Sequence, residues 1–319
     1  MKHANVRKFA LALLSLAAGA AFAASPYPSQ TVRIITSQTG GSLDFAARLL
    51  QPGLSASLGQ PVIIDNRSGN VATEAAARAA ADGHTLLFNG AVVWIAPLLR
   101  KNTPWSAERD FAPVTLAVSS PNVVAVHPSM PVRTLRELIT LAKARPGDIN
   151  CGVATAGTSS HLAAELFRYL AGINVVHVPY KSAGQSMIGL LAGEVQLMFP
   201  NAASVAPYIH PGRVRAIAVT GAQPSPLLPG VPTARASGLP EYETASLNAF
   251  FVPAGTPAAV VSRLNQEIVR ALNRRELRDK FAATGVEVVG SSPADLAAAV
   301  RADVARMSKV IRANGIRAD

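Results

Sequence analysis

Ser160 stands directly beside His161 in the run Gly157-Thr158-Ser159-Ser160-His161, the residue types of a nucleophile and its general base. Neighbouring residues on a helix point in different directions, so the pair cannot share a hydrogen bond by itself. The segment Gly184 to Gly189, GQSMIG, has one residue too many for the G-x-S-x-G turn that exposes a hydrolase serine. His84, His127, His177 and His210 form no H-x-H or H-x-x-x-H pair, and Cys151 is the only cysteine, so no metal-ligand spacing and no internal disulfide is present. Walker-type and dinucleotide glycine fingerprints are absent too, which leaves no expected cofactor or metal. What the chain supplies in quantity is hydroxyl and backbone amide donors, the chemistry of binding an anion without reacting with it.

Those donors sit at four similar junctions, each a strand, a turn rich in Gly, Ser or Thr, and a helix: ITSQTGGSLDFAARLL, IIDNRSGNVATEAAARAA, CGVATAGTSSHLAAELFRYL and VPYKSAGQSMIGLLAG. In the first, Leu43, Ala46, Ala47, Leu50 and Leu54 recur at helical spacing behind Gly40, Gly41 and Ser42. The free N–H groups of a helix's first turn, at the positive end of its dipole, accept an anion, and Gly40 and Gly41 let it approach the backbone closely. Ordinary helix capping is the competing reading for each junction taken singly.

Stepping outward along the chain, short β-branched runs alternate with helical patterns. Strands are expected at TVRIIT, PVIIDN, HTLLFN, PVTLAV, NVVAVHP, INCGVA, INVVHVPY, VQLMFP, VRAIAVTG and LNAFFVPA. This alternation predicts an α/β fold, mainly parallel sheets covered by helices. Thr134 with Glu137 makes a capping box, Thr256-Pro257 and Ser292-Pro293 place a hydroxyl before a first-turn proline, and Gly315 ends the last helix. Pro52 predicts a bend or a new turn in the first helix. Cys151, in a strand running into a turn, reads as a small buried apolar residue.

The first residues read as an export signal: basic MKHANVRK, the apolar run FALALLSLAAGAAFA, and Ala21-Phe22-Ala23 as cleavage site, shorter than the roughly 20 apolar residues of a membrane span. Residues 1–23 are then removed, and with Lys2, Arg7 and Lys8 gone the formal charge falls from +11 to +8. The charges are dispersed and only two Trp occur, which excludes a nucleic-acid groove and fits a general preference for anions.

The ordered series YPSQTVRIIT, GGSLDFAARLL, LGQPVIIDNRSG, EAAARAAADGHTLL, DFAPVTLAVSSPNVVAVHPS, GTSSHLAAELF, VVHVPYKS, AGEVQLMF, VRAIAVTG and LPGVPTARASGLPEYE resembles the Bug family, periplasmic substrate-binding proteins of tripartite tricarboxylate transporters, from Tyr27 to Ile316. The resemblance implies a two-lobed, Venus-flytrap binding-protein fold. Lobe 1 would span 26–121 plus 246–319 and lobe 2 would span 122–245, with hinges near 117–123 and 244–250. It also implies a carboxylate held by Thr39, Gly40, Gly41, Ser42 and Asp44 from one lobe. Thr155, Ala156, Gly157, Ser159, Ser160, His161, Tyr180, Lys181 and Asn201 would hold it from the other. Asp44, an acid in the first helical turn, is expected to orient its loop rather than touch an anion. Lys181 would bring charge to the cleft mouth or remain solvated.

The chain departs from the family pattern in five places. SQTGG replaces PPGG; NRSGN is about three residues shorter than NRPGAGGN; AVVWIAP stands for a polar GTHAINP-like segment; Ser182 follows Tyr180-Lys181; and Pro200 replaces an acid before Asn201. Ala91, Val92 and Trp94 thereby become a candidate apolar pocket wall, with Trp94 as a core residue the competing reading. The implied protein is a periplasmic monomer with no enzymatic activity. It would capture a dicarboxylate, tricarboxylate or aromatic acid and present it to a membrane transporter or a sensor. A secreted serine hydrolase is the alternative, and a regulator's effector domain is disfavoured by the export signal.

Overall fold

A computed structural model describes residues 27–67, 70–154 and 156–317. The expected signal segment, Ser68, Gly69 and Thr155 lie outside the described residues.

The first stretch of chain forms β1 (Val32–Thr36), α1 (Ser42–Leu58), β2 (Val62–Asn66), α2 (Val71–Ala77), β3 (Thr85–Asn89), α3 (Val92–Leu99), α4 (Ala107–Asp110) and β4 (Phe111–Pro121). The middle forms β5 (Val123–Val126), α5 (Leu135–Ala144), β6 (Asn150–Val153), α6 (Ser159–Ala171), β7 (Val176–Pro179), α7 (Ala183–Ala192), β8 (Leu197–Met198), α8 (Ala202–Ile209) and β9 (Arg215–Val219). The last forms β10 (Ala245–Pro253), α9 (Ala258–Leu272), α10 (Arg275–Ala282), β11 (Glu287–Val288) and α11 (Pro293–Asn314). All ten expected strands are present; β11, two residues long, is an addition.

The strands make two sheets, ordered β11-β4-β10-β3-β1-β2 and β7-β6-β8-β5-β9. The ladders β1/β2, β1/β3, β6/β7 and β6/β8 are parallel, as the alternation of strands and helices requires. Antiparallel ladders enter where the chain passes between sheets: β10 pairs with β3 and β4, and β5 with β8 and β9. Both sheets are therefore mixed.

Side-chain alternation puts successive residues of the larger sheet on opposite faces, and helices cover both. Val32, Ile34, Leu86, Phe88, Phe250 and Val252 pack with Leu50 and Leu54 of α1 and with Leu264 and Ile268 of α9. Ile35, Leu87, Ala249 and Phe251 join Trp94, Met307 and, from the smaller sheet and its helix α6, Val124, Cys151, Leu162 and Phe167. One apolar core thus continues from the larger sheet into the smaller. Burial lifts the Cys151 thiol far above its ordinary range, as expected of an inert core cysteine.

The two passages between sheets run side by side, Ala245 opposite Pro121 and Leu247 opposite Ser119. At their end Asn122 is fully buried: its amide donates to Thr220 Oγ1 at 2.9 Å, its Nδ2 to the Phe199 carbonyl at 2.9 Å, and its backbone pairs with Asn201. The Thr220 hydroxyl lies 2.6 Å from the Thr244 carbonyl, tying the second passage to the first.

Local helix signals mostly act as read. Thr134 and Glu137 make the capping box, Ser292 accepts from Asp295 N ahead of Pro293, and Gly315 caps α11 in the left-handed region. One differs. Pro257, not Thr256, is the N-cap of α9, because the Thr256 hydroxyl turns back to donate to the Pro253 carbonyl at 2.7 Å. Pro52 lies inside α1, which runs from Ser42 to Leu58 with Leu50 and Leu54 packed on the sheet.

Candidate functional site

On the larger sheet the carboxyl ends of β1, β2 and β3 lead into α1, α2 and α3; on the smaller, β6 leads into α6, β7 into α7 and β8 into α8. α7 and α8 are capped by their own side chains, Ser182 accepting from Gln185 N and Asn201 Oδ1 accepting from Ser204 N at 3.0 Å. α1 starts differently. Gly41, its N-cap, has no side chain, so the first-turn amides face the loop without a side-chain acceptor. Thr39, Gly40, Gly41 and Ser42 are all exposed.

Asp44 builds this loop from beneath. It is 3 % exposed and its carboxylate accepts from Gly40 N, Arg48 Nε and Asn66 Nδ2, each at 2.9 Å. Asn66, at the end of β2, also donates to the Ser37 carbonyl at 2.7 Å. Gly40 adopts a φ of +82°, open to glycine at little cost, which turns its N–H inward to Asp44. Burial by itself would raise the Asp44 carboxyl, but the bonds from Arg48, Gly40 and Asn66 together hold it below its ordinary range. Asp44 is thus the loop's anchor. Replacing Asp44 with alanine removes all three hydrogen bonds to the buried carboxylate; urea titration should show a loss of about 2–3 kcal/mol. A nearly unchanged midpoint would remove the anchor role.

The second loop follows β6. Gly157 has φ +87°, and its N–H donates to His161 Nδ1 at 3.3 Å, closing the turn that opens α6. A Cβ placed on Gly157 would lie 3.6 Å from Leu99 Cδ1 and 4.0 Å from Val92 Cγ2, so the loop of the smaller sheet rests on α3 of the larger. β3, which leads into α3, is the immediate neighbour of β1. The Gly157 turn is thereby packed on the helix that follows β3, the strand beside β1.

His161 is 7 % exposed. Below it lies Glu165, 3 % exposed, whose Oε1 is 3.0 Å from His177 Nδ1 and 3.8 Å from His161 Nε2. Its Oε2 accepts from Arg168 Nε at 3.1 Å and from Asn314 Nδ2 at 3.0 Å, with Arg168 Nη2 2.9 Å away in the ion pair. Burial, aided by His177 and Arg168, outweighs the pull of Glu165 and lowers His161 to about 4. Burial opposes ionisation of Glu165 as well, yet the His177 hydrogen bond and the charges of His177 and Arg168 hold it below its usual range. His161, Glu165 and His177 each bring a metal-ligating atom within 4.8 Å of the others, a convergence that spacing along the chain does not reveal. Within the cluster His161 Nδ1 accepts from the Gly157 N–H, and His177 meets the carboxylate through Nδ1.

Other expected site residues are placed as follows. Ala156 and Ser159 are partly exposed, Ser160 is buried with its Oγ 3.4 Å from Thr158 Oγ1, and Lys181 is exposed just beyond β7. The Tyr180 ring lies against Gly189, where no side chain would fit, and its hydroxyl donates to Glu194 at 3.1 Å. That ties the phenol to the residue just beyond the Gly193 cap of α7; burial, then Glu194, raises it above its ordinary value. Trp94 is 2 % exposed, donates from Nε1 to Asp303 Oδ2 at 2.8 Å and tilts against Phe251, which makes it a core residue. Ala91 and Val92 remain partly exposed at the junction.

Sequence reading passed over Asn66, Glu165 and His177. Glu165 was detectable, four residues after His161 and hence on the same helical face. His177 and Asn66 carried no local signal, since strand pairing alone brings them in. Two surface cavities of about 490 and 540 Å³, one beside Arg133 and Arg136 and the other beside Arg100 and Arg312, are lined by none of the expected ligand residues except through Leu99, the Gly157 neighbour.

Residues 46–316 match the family described as tripartite tricarboxylate transporter family receptor. BugT of Bordetella pertussis is 32 % identical over 300 residues, covering 92 % of each chain. Among solved structures, Rpa4515 of R. palustris, described with adipate, has 34 % identity and a TM-score of 0.83 over 91 % of this chain and 99 % of its own. MatC of Rhodopseudomonas palustris, described with bound malate, has 28 % identity and a TM-score of 0.81 over 89 % of this chain and 100 % of its own.

Proposed function

Because the chain belongs to the tripartite tricarboxylate transporter receptor family, whose Bug members it resembles throughout, we propose that it is a periplasmic solute-binding protein for a small dicarboxylate. It closes two lobes, 26–121 plus 246–319 and 122–245, over the ligand and presents it to a tripartite transporter or a signalling partner. The observation that carries this reading is the junction itself. The Gly157 turn before α6 of the smaller sheet packs on α3 of the larger, which follows the strand beside β1, and β1 leads into the uncapped start of α1; in the proposed site one anion takes donors from both loops. Donors from both halves are what make a ligand prefer the closed form.

Thr39, Gly41 and Ser42 supply donors from the first lobe and Ala156, Ser159 and the start of α6 from the second, with Lys181 at the mouth. Adipate and malate, named with two relatives, support a dicarboxylate. Val92 and Ala91 offer an apolar flank in place of Trp94, which favours an aliphatic middle such as that of adipate. Export and cleavage near Ala23 place the protein in the periplasm. Among the described residues no helix is long and apolar enough to cross a membrane.

Hydrolysis finds less support. His161 Nδ1 is engaged by Gly157, and Nε2 faces Glu165, so neither ring nitrogen is aimed at Ser159 or Ser160.

Calorimetric titration of the cleaved protein with adipate, malate and the neutral dimethyl ester of adipate tests the proposal. A diacid should bind and the ester should not. At a ligand concentration 100 times Kd the protein should gain about 2.7 kcal/mol of stability. Folded protein that binds no carboxylate, or the ester equally well, would overturn the assignment.

A further inference from the structure

His161, Glu165 and His177 lie behind the Gly157 turn, and the proposed function uses none of their charges. Three facts about them belong together. The Gly157 amide needs an acceptor, which His161 offers only while Nδ1 is unprotonated. The ring's other nitrogen faces a buried carboxylate that is held by Arg168 on its own helix and by His177 from β7. The same carboxylate takes Asn314 Nδ2 from the end of α11, and the Glu165 carbonyl takes that amide as well at 3.2 Å. α11 packs on β4 of the larger sheet and on α6 of the smaller. Glu165 thus touches the ligand turn through one histidine, the strand beneath through another, and the inter-sheet helix through Asn314.

We propose that Glu165 and His177 are positioning residues for ligand capture: they hold His161 as the Nε2–H tautomer, so that Nδ1 fixes the Gly157 turn in its carboxylate-binding form and couples that turn to α11. The inference rests on the dicarboxylate-binding reading for its effect on affinity, but not for its account of the turn. Protonation of His161 would set a ring N–H against the Gly157 N–H, donor against donor, and release the turn. The charged and titratable groups acting on the ring are Glu165 and Arg168 on α6 and His177 on β7, and Cys151 on β6 feels the same Glu165 carboxylate; α3 brings Val92, Ala96 and Leu99 to the turn. Buried His177 Nε2 has no hydrogen-bond partner, consistent with a ring oriented through Nδ1 alone.

Two arms test this. In ligand-free protein at pH 7, the ring ¹⁵N shifts of His161 should identify the Nε2–H tautomer, and the Gly157 amide resonance should move in Glu165→Gln and His177→Phe. The opposite tautomer, or a Gly157 amide indifferent to both substitutions, would overturn the relay whether or not any carboxylate binds. In the second arm, adipate affinity should fall about tenfold in His161→Leu, the loss of one aligned hydrogen bond. His161→Asn, whose Oδ1 can take the place of Nδ1, should recover most of it. Equal losses in both variants with intact folding would also overturn the relay, whereas failure of wild-type protein to bind adipate or malate would count against the dicarboxylate reading alone. Should His161→Leu not fold, the tautomer and His161→Asn still decide.

Discussion

Trp94→Ala should lower the unfolding free energy by about 3–5 kcal/mol, among the largest losses available from one side chain. The indole fills the core shared by the two sheets, and its removal leaves a cavity among Phe251, Met307 and their neighbours. It also deprives Asp303 of the Nε1–H, leaving that carboxylate to Arg306, 2.7 Å away. Trp94→Phe separates the two contributions, since most of the packing survives and only the hydrogen bond is lost; about 1–2 kcal/mol is expected. Urea denaturation followed by circular dichroism measures both. If Trp94 were a pocket wall instead, Trp94→Phe would alter adipate affinity while barely changing stability. The placement against Asp303 predicts the reverse: a stability loss with affinity within about twofold of wild type, a change worth under about 0.5 kcal/mol.

Acidification should weaken the fold along a definite window. His161 falls to about 4 in the folded protein from an ordinary 6.5, chiefly through burial. The unfolded chain therefore takes up a proton before the folded one does, and stability declines as pH falls. The contribution is fully present above pH 6.5 and is lost on the way down to about pH 4, amounting to about 3 kcal/mol. Glu165 and Asp44, both held below their ordinary range, act with the same sign at lower pH, since each must be protonated as the fold is lost. Denaturation midpoints between pH 8 and 4 measure the effect. In His161→Asn the decline between pH 6.5 and 4 should largely disappear, and a wild-type curve flat through that window would refute the burial argument.

Carboxylate binding adds a second, separable pH dependence. Capture depends on backbone donors that do not titrate, so affinity should stay level wherever both the ligand's carboxylates and the His161 tautomer are unchanged.

The strands, the capping box at Thr134 and Glu137, the Ser292-Pro293 start and the Gly315 stop were all legible in the sequence. Each depends on residues no more than four apart or on a repeat of period two or 3.6. The glycine-bearing junctions were legible for the same reason, and the order of motifs along the chain carried the family. Tertiary structure decided the rest. Thr256 lost its cap position to a backward bond, Trp94 went to the core because Asp303, 209 residues away, meets its N–H, and Tyr180 bonded Glu194 with its ring against Gly189. Asp44 became an anchor through Asn66, and His161 became a clasp on Gly157 above a carboxylate shared with His177 and Asn314. A buried polar group must find a partner, and when that partner comes from another strand or helix its identity depends on which elements pack together. Local periodicity determines the elements; only their packing determines which polar groups meet.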